Sequence, residues 1–107
     1  PINREEDGLA ISSRNTLLTP EMRKKSPVIA RALSESTKFV TEKSVEEVIG
    51  WVTEQINRVD GFEVEYFSIV DSATLQPVND WHEGDGITGC IAVYAGKIRL
   101  IDNVTYK

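Results

Sequence analysis

Near its start the chain carries Asp7-Gly8-Leu9-Ala10-Ile11-Ser12-Ser13-Arg14-Asn15. Ser12, Ser13 and Arg14 stand together, and their types suit one kind of chemistry. A guanidinium offers a planar fork of donors that matches phosphate or carboxylate. The two hydroxyls add short neutral donors. Gly8, without a side chain, lets backbone approach a ligand closely. Donors placed this way could cradle a polyphosphate and stabilise the charge that builds on phosphate oxygens during phosphoryl or nucleotidyl transfer. The stretch is not a P-loop, because G-x-x-x-x-G-K-[ST] is absent. A plainer reading stays open at this point. Ser, Arg and Asn are ordinary loop residues, and Asn15 could cap a turn. The acidic run Glu5-Glu6-Asp7 could pair with Arg14 and consume its charge.

Other reactive side chains point less clearly to chemistry. Cys90 is the single cysteine and lies in the apolar run "ITGCIAVY". It reads as a buried structural thiol, since reactive cysteines need an exposed, electropositive setting. His82 is the single histidine and reads as a surface loop residue. One His and one Cys cannot make a zinc site of the usual ligands. Glu46 and Glu47 read as charges favourable at a helix N-terminus. Trp51 falls one step off an apolar stripe, which predicts partial burial or contact with another domain. Trp81 beside His82 could form a surface contact. Asp102 and Asn103 read as structural, through hydrogen bonds to the opening segment.

These residues must be positioned by one domain, the size that 107 residues allow. A hydrophobic content of 40% with 27% charge is ordinary for a folded domain and argues against disorder. No apolar run approaches the roughly 20 residues of a membrane helix, and no signal peptide is visible. A net charge of −5 argues against a general nucleic-acid surface. One thiol and no possible internal disulfide suit a reducing cytoplasm. The chain begins at Pro1 rather than Met, which suggests a fragment.

Residues 1–18 read as an irregular opening segment. Thr19-Pro20-Glu21 predicts a helix start, and Ser26-Pro27 repeats the signal, giving helices over 20–25 and 27–41. The second carries Val28, Ile29, Ala32, Leu33, Ser36, Phe39 and Val40 on one stripe. Ser44-Val45-Glu46-Glu47 matches a capping box and opens a helix to about Arg58, with Val45, Val48, Ile49, Val52 and Ile56 on one face. "FEVEYFSIVD", 62–71, predicts a strand. Residues 87–103 predict two strands joined at Ala95-Gly96. The sum is one α+β domain over 1–107: helices within 19–60 packed on a small, three-stranded antiparallel sheet within 62–103.

"REEDGLAISSRN" and the terminal "RLIDN" resemble the C-terminal domain of the pantothenate synthetase (pantoate–β-alanine ligase) family. The order between them, a T-P-E helix start, helices and then three strands, agrees over nearly the whole chain. The resemblance implies an ATP-dependent ligase that adenylates D-pantoate and lets the amine of β-alanine attack, releasing AMP and pyrophosphate. It implies a loop playing the part of the KMSKS loop of class I aminoacyl-tRNA synthetases. Carried over residue by residue, Ser12, Ser13 and Arg14 are the expected catalytic contacts to the ATP phosphates. Ile11 is expected to contribute mainly backbone, and Asn3 to meet the adenine side through its backbone, although the family more often has a hydrophobic residue there. Gly8 is the expected hinge of a loop that closes over ATP. Mg2+ is expected with ATP but on no residue of this chain.

This sequence has no H-x-G-H motif and no Rossmann βα unit, which the family carries in an N-terminal domain together with its pantoate and β-alanine pockets. The resemblance therefore implies that a Rossmann-like partner domain of the same polypeptide completes the site. It also implies that the full enzyme dimerises through that domain, that the isolated chain is inactive, and that no nucleic acid or membrane is involved. Two alternatives come from other classes: a stand-alone protein-interaction domain, and a regulatory nucleotide-binding domain that binds ATP alone.

Overall fold

A computed structural model describes residues 3–107; Pro1 and Ile2 of the expected opening segment lie outside the described residues. Among the described residues there are three α-helices and three strands. Helix α1 spans Pro20–Lys25, α2 Val28–Ser36 and α3 Val45–Asn57; the strands are β1 Phe62–Asp71, β2 Ile87–Ala95 and β3 Ile98–Thr105. The sheet is antiparallel in the order β1-β2-β3, so the α+β expectation holds.

Local chemistry sets most boundaries. Thr19 accepts from the Met22 amide and Pro20 opens α1, where a missing N–H costs nothing. Ser44 and Glu47 form a reciprocal capping box at the start of α3. Gly96, at φ +63°, makes the tight β2–β3 turn in a backbone region that side chains disfavour. Strand β3 runs two residues past the expected end.

Two helix expectations need correction. Ser26 does not cap α2. Its amide and its hydroxyl both donate to the Met22 carbonyl, so it closes α1, and Pro27 precedes α2 without any side-chain cap. Helix α2 also ends at Ser36 instead of continuing to 41, and Thr37–Phe39 tighten into a 3-10 turn. The Ser36 hydroxyl donates to Leu33 O and the Thr37 hydroxyl to Ser34 O. Such back-bonding competes with the regular ladder and favours a tighter turn.

Helices α2 and α3 cover one face of the sheet. Leu33, Val48, Val52 and Ile56 meet Phe67, Ile69, Ile91 and Val93, all buried in one apolar cluster. Burial of this kind contributes roughly 1.5–3 kcal/mol for each large apolar side chain. Strand β3 alternates regularly, with Leu100 and Asp102 both buried, so a carboxylate stands on the core side.

Candidate nucleotide-phosphate site

The opening segment is more ordered than its sequence suggests. Residues 3–11 form a narrow antiparallel turn. Arg4 bridges Ala10, Ile11 N donates to Asn3 O at 2.9 Å, Glu5 N to Leu9 O at 2.8 Å and Gly8 N to Glu5 O at 3.0 Å. Gly8 sits at φ +96° at the tip. Leu9 is buried in the main core. No local periodicity announces this turn, because its ties are to residues far along the chain.

Two ion pairs fasten it. Arg23 of α1 donates to Asp7 at 2.6 and 3.3 Å and lies 3.7 Å from Glu5. Its bond lowers the Asp7 carboxyl below the usual range, and Asp7 in turn raises the Arg23 guanidinium. The acidic run therefore pairs with Arg23 and not with Arg14, which corrects the alternative raised above. The second tie is Arg4 to Asp102 of β3. Arg4 Nη1 donates to Asp102 Oδ2 and Nη2 to Asp102 Oδ1, both at 2.8 Å, which raises the Arg4 guanidinium further. The expected hydrogen bond from Asp102 to the opening segment is thus present.

Beyond the turn, Ser12 adopts an extended backbone and accepts from the Arg14 amide at 3.1 Å, capping a 3-10 turn over Ser13–Leu17. Asn15 turns inward, its Nδ2 donating to Ala10 O at 3.0 Å, while its buried Oδ1 has no partner among the described residues. Thr16 donates to Ser13 O. Ser13 and Arg14 are exposed. Among the described residues, neither the Ser13 hydroxyl nor the Arg14 guanidinium has a hydrogen-bond or ion-pair partner.

The expected site residues thus fall into one patch of surface. Asn3 and Ile11 are hydrogen-bonded neighbours, and Ser12, Ser13 and Arg14 follow directly. Because Ile11 N already donates to Asn3 O, those two main-chain groups are taken. Ile11 has left its carbonyl and a side chain that is 54% exposed. The patch is open. A groove of about 440 Å³ between the turn and α2 is lined by Arg4, Asp7, Gly8, Arg31 and Ser34, and none of residues 11–14 lines it. Small-molecule sites are normally concave, and these donors stand on an open surface outside that groove.

Gly8, the expected hinge, lies in a turn held by Arg23, by Asp102 and by Leu9 in the core. Sequence reasoning missed Arg4 and Arg23 as anchors. A signal for Arg4 existed: period-2 alternation through Leu100, Asp102 and Val104 puts a carboxylate on the buried face, and a buried carboxylate demands a cation.

The remaining residues serve the fold. Trp81 is not a surface contact: its indole donates to Lys43 O at 2.8 Å and its ring leans on Tyr106 at 5.2 Å. Trp51 is half-buried, edge-on to Phe39 at 4.8 Å. His82 is exposed in its loop. Cys90 is half-buried rather than fully buried, and burial pushes its thiol up, away from reactivity.

Residues 1–105 match the family described as Pantoate-beta-alanine ligase. The pantothenate synthetase of Porphyromonas gingivalis (strain ATCC BAA-308 / W83) is 49% identical over all 107 residues, which span 38% of its length. The crystal structure of pantothenate synthetase from Thermus thermophilus superposes with a TM-score of 0.87 at 42% identity, over 99% of this chain and 38% of that one. A pantoate-beta-alanine ligase from Francisella tularensis, complexed with beta-gamma ATP and beta-alanine, matches at TM-score 0.58 and 25% identity over 99% of this chain and 31% of that one. On this sequence match and fold, the chain belongs to the pantoate–beta-alanine ligase family.

Proposed function

We propose that this chain is the C-terminal lid of an ATP-dependent ligase that joins D-pantoate to β-alanine through a pantoyl adenylate. The observation that carries the reading is the pair of uncommitted donors, Ser13 and Arg14, exposed beside a tied-down turn. Donors fixed in place but unspent within the chain suit a ligand brought by another surface. In this reading a Rossmann-like domain of the same cytoplasmic polypeptide carries pantoate, β-alanine and most of the ATP site, and supplies the dimer contact. The Francisella tularensis relative, complexed with beta-gamma ATP and beta-alanine, supports both ligands.

Adenylation joins a pantoate carboxylate oxygen to the α-phosphorus of ATP and expels pyrophosphate. Negative charge grows on the departing phosphates. The Arg14 fork and the hydroxyls of Ser12 and Ser13 stabilise that charge where water would otherwise have to reorganise. Ser12 accepts from the Arg14 amide, so its O–H remains able to donate outward. Asn3 and Ile11 form the edge that meets the adenine side. In the second step the β-alanine amine attacks the acyl carbon and AMP leaves. Closure of the domain over the nucleotide keeps water from the adenylate. In this reading Mg2+ arrives with ATP and is held by groups outside this chain.

The test joins this chain to the remainder of the Porphyromonas gingivalis enzyme in place of the matching segment and measures AMP release with ATP, pantoate and β-alanine. The joined protein is active, the isolated chain is inactive, and Arg14→Ala lowers adenylation by about 10²-fold or more with little change in pantoate binding. Equal adenylation rates in variant and parent would remove the loop from the mechanism. ATP binding by the isolated chain at micromolar concentration would favour a regulatory nucleotide-binding domain instead.

A further inference from the structure

Asp102 is out of place for a core-facing strand position. Its side chain is 3% exposed, on the face where β3 otherwise presents Leu100 to the core. Its partner Arg4 keeps 34% of its side chain in solvent, and an ion pair open to water adds little stability. What such a pair does well is fix a geometry. Here one guanidinium joins the turn to β3. Arg4 Nη1 donates to Asp102 Oδ2 and, at 2.9 Å, to Gly8 O; Nη2 donates to Asp102 Oδ1 and, at 3.4 Å, to Asn103 O. The Asn103 amide donates to Asp102 Oδ1 at 2.7 Å and completes the carboxylate's shell. Arg4 is also the bridge partner of Ala10, and Asn3 O holds Ile11 N. Whatever fixes Arg4 therefore fixes the residues from which Ser12, Ser13 and Arg14 emerge.

We infer that the Arg4–Asp102 pair is a positioning device for the phosphate-contacting stretch, setting the aim of Ser12–Arg14 from the end of β3. This rests on the reading above that Ser12–Arg14 meet the ATP phosphates. Neither residue touches the nucleotide; both act through Ala10 and Ile11. A planar fork is required for four acceptors in three places, and a lysine cannot provide it.

The experiment uses the joined enzyme described above, with ATP and pantoate titrated separately and melting temperature followed. Arg4→Lys keeps the charge opposite Asp102 and removes the fork. Arg4→Met with Asp102→Leu replaces the pair by apolar groups, a swap that folds commonly tolerate. In both, kcat/KM for ATP in adenylation falls by about tenfold or more, as misplacement of a positioned group does, while the KM for pantoate stays within about twofold of the parent. Parental ATP kinetics in both variants overturn the inference. So does a parallel loss for both substrates that tracks the folded fraction, or a double variant that does not fold, since the pair then serves stability alone. Arg14→Ala, run beside them, separates the two readings. If Arg14→Ala abolishes adenylation while the pair variants are silent, only the positioning role falls. If Arg14→Ala is silent as well, the phosphate assignment itself falls.

Discussion

Residues 4–10 and residues 12–17 are adjacent, similar in length and similarly polar, yet they spend their polar groups differently. The first stretch sends Arg4 to β3, Asp7 to α1 and Leu9 into the core. The second keeps its hydrogen bonds among itself and its immediate flanks and leaves Ser13 and Arg14 exposed. The contrast separates two jobs that a functional loop must do. One part holds position, and the other keeps donors available. A polar loop with every group satisfied could not bind, and one with none satisfied could not aim.

The comparison predicts unequal consequences. The largest belongs to Leu9. Leu9→Ala removes a core side chain and costs about 2–5 kcal/mol, read as a lower melting temperature of the 107-residue chain. A loss below about 1 kcal/mol, well under that range, would show that the turn is not seated in the core. Next is Tyr106, whose hydroxyl meets Ser36 at 2.7 Å and joins the end of β3 to α2. Burial pushes its phenol up to about 12 from an ordinary 10. The folded state therefore holds this proton where the unfolded chain releases it. The stabilisation is complete below pH 10 and is lost as pH rises toward 12. Melting temperatures across that window fall more steeply in the parent than in Tyr106→Phe; identical slopes would dissociate Tyr106 from the alkaline step.

A smaller effect attends Asp7, an exposed partner of Arg23. Its carboxyl lies below the ordinary 3.8, so the pair stabilises at neutral pH and fades as pH falls through the lowered value. Asp7→Asn flattens the acid limb of the melting curve, and salt reduces the difference between the two proteins. The smallest is Ser13. Ser13→Ala leaves stability within about 0.5 kcal/mol of the parent, because the side chain holds nothing. A clear loss of stability would break the division between the two stretches.

Much of the scaffold was legible because its signals are local. The Ser44–Glu47 capping box, the Thr19-Pro20 start, the β1 boundaries and the Gly96 turn each follow from residues within a few positions of one another. The end of α2 was not, since the pattern through Phe39 and Val40 suggests continuation, whereas the Ser36 and Thr37 hydroxyls bond back to the last turn of the helix. The turn over residues 3–11 was also hidden. Its order comes from Arg23 and Asp102, and the one trace in the sequence, a carboxylate on the buried face of β3, does not name a partner 98 residues away. At the site, residue types alone suggested an anion and no more. The wider assignment came from resemblance, and the structure added which donors are spent and which are free.

The same 98-residue separation between Arg4 and Asp102 has a kinetic side. Before the rest of the domain folds, closing a loop of that length costs more entropy than any hairpin or helix within it. We predict that the opening segment settles after the sheet, and that amide protons at Glu5 and Ile11 exchange with solvent before those of Ile91 and Val93.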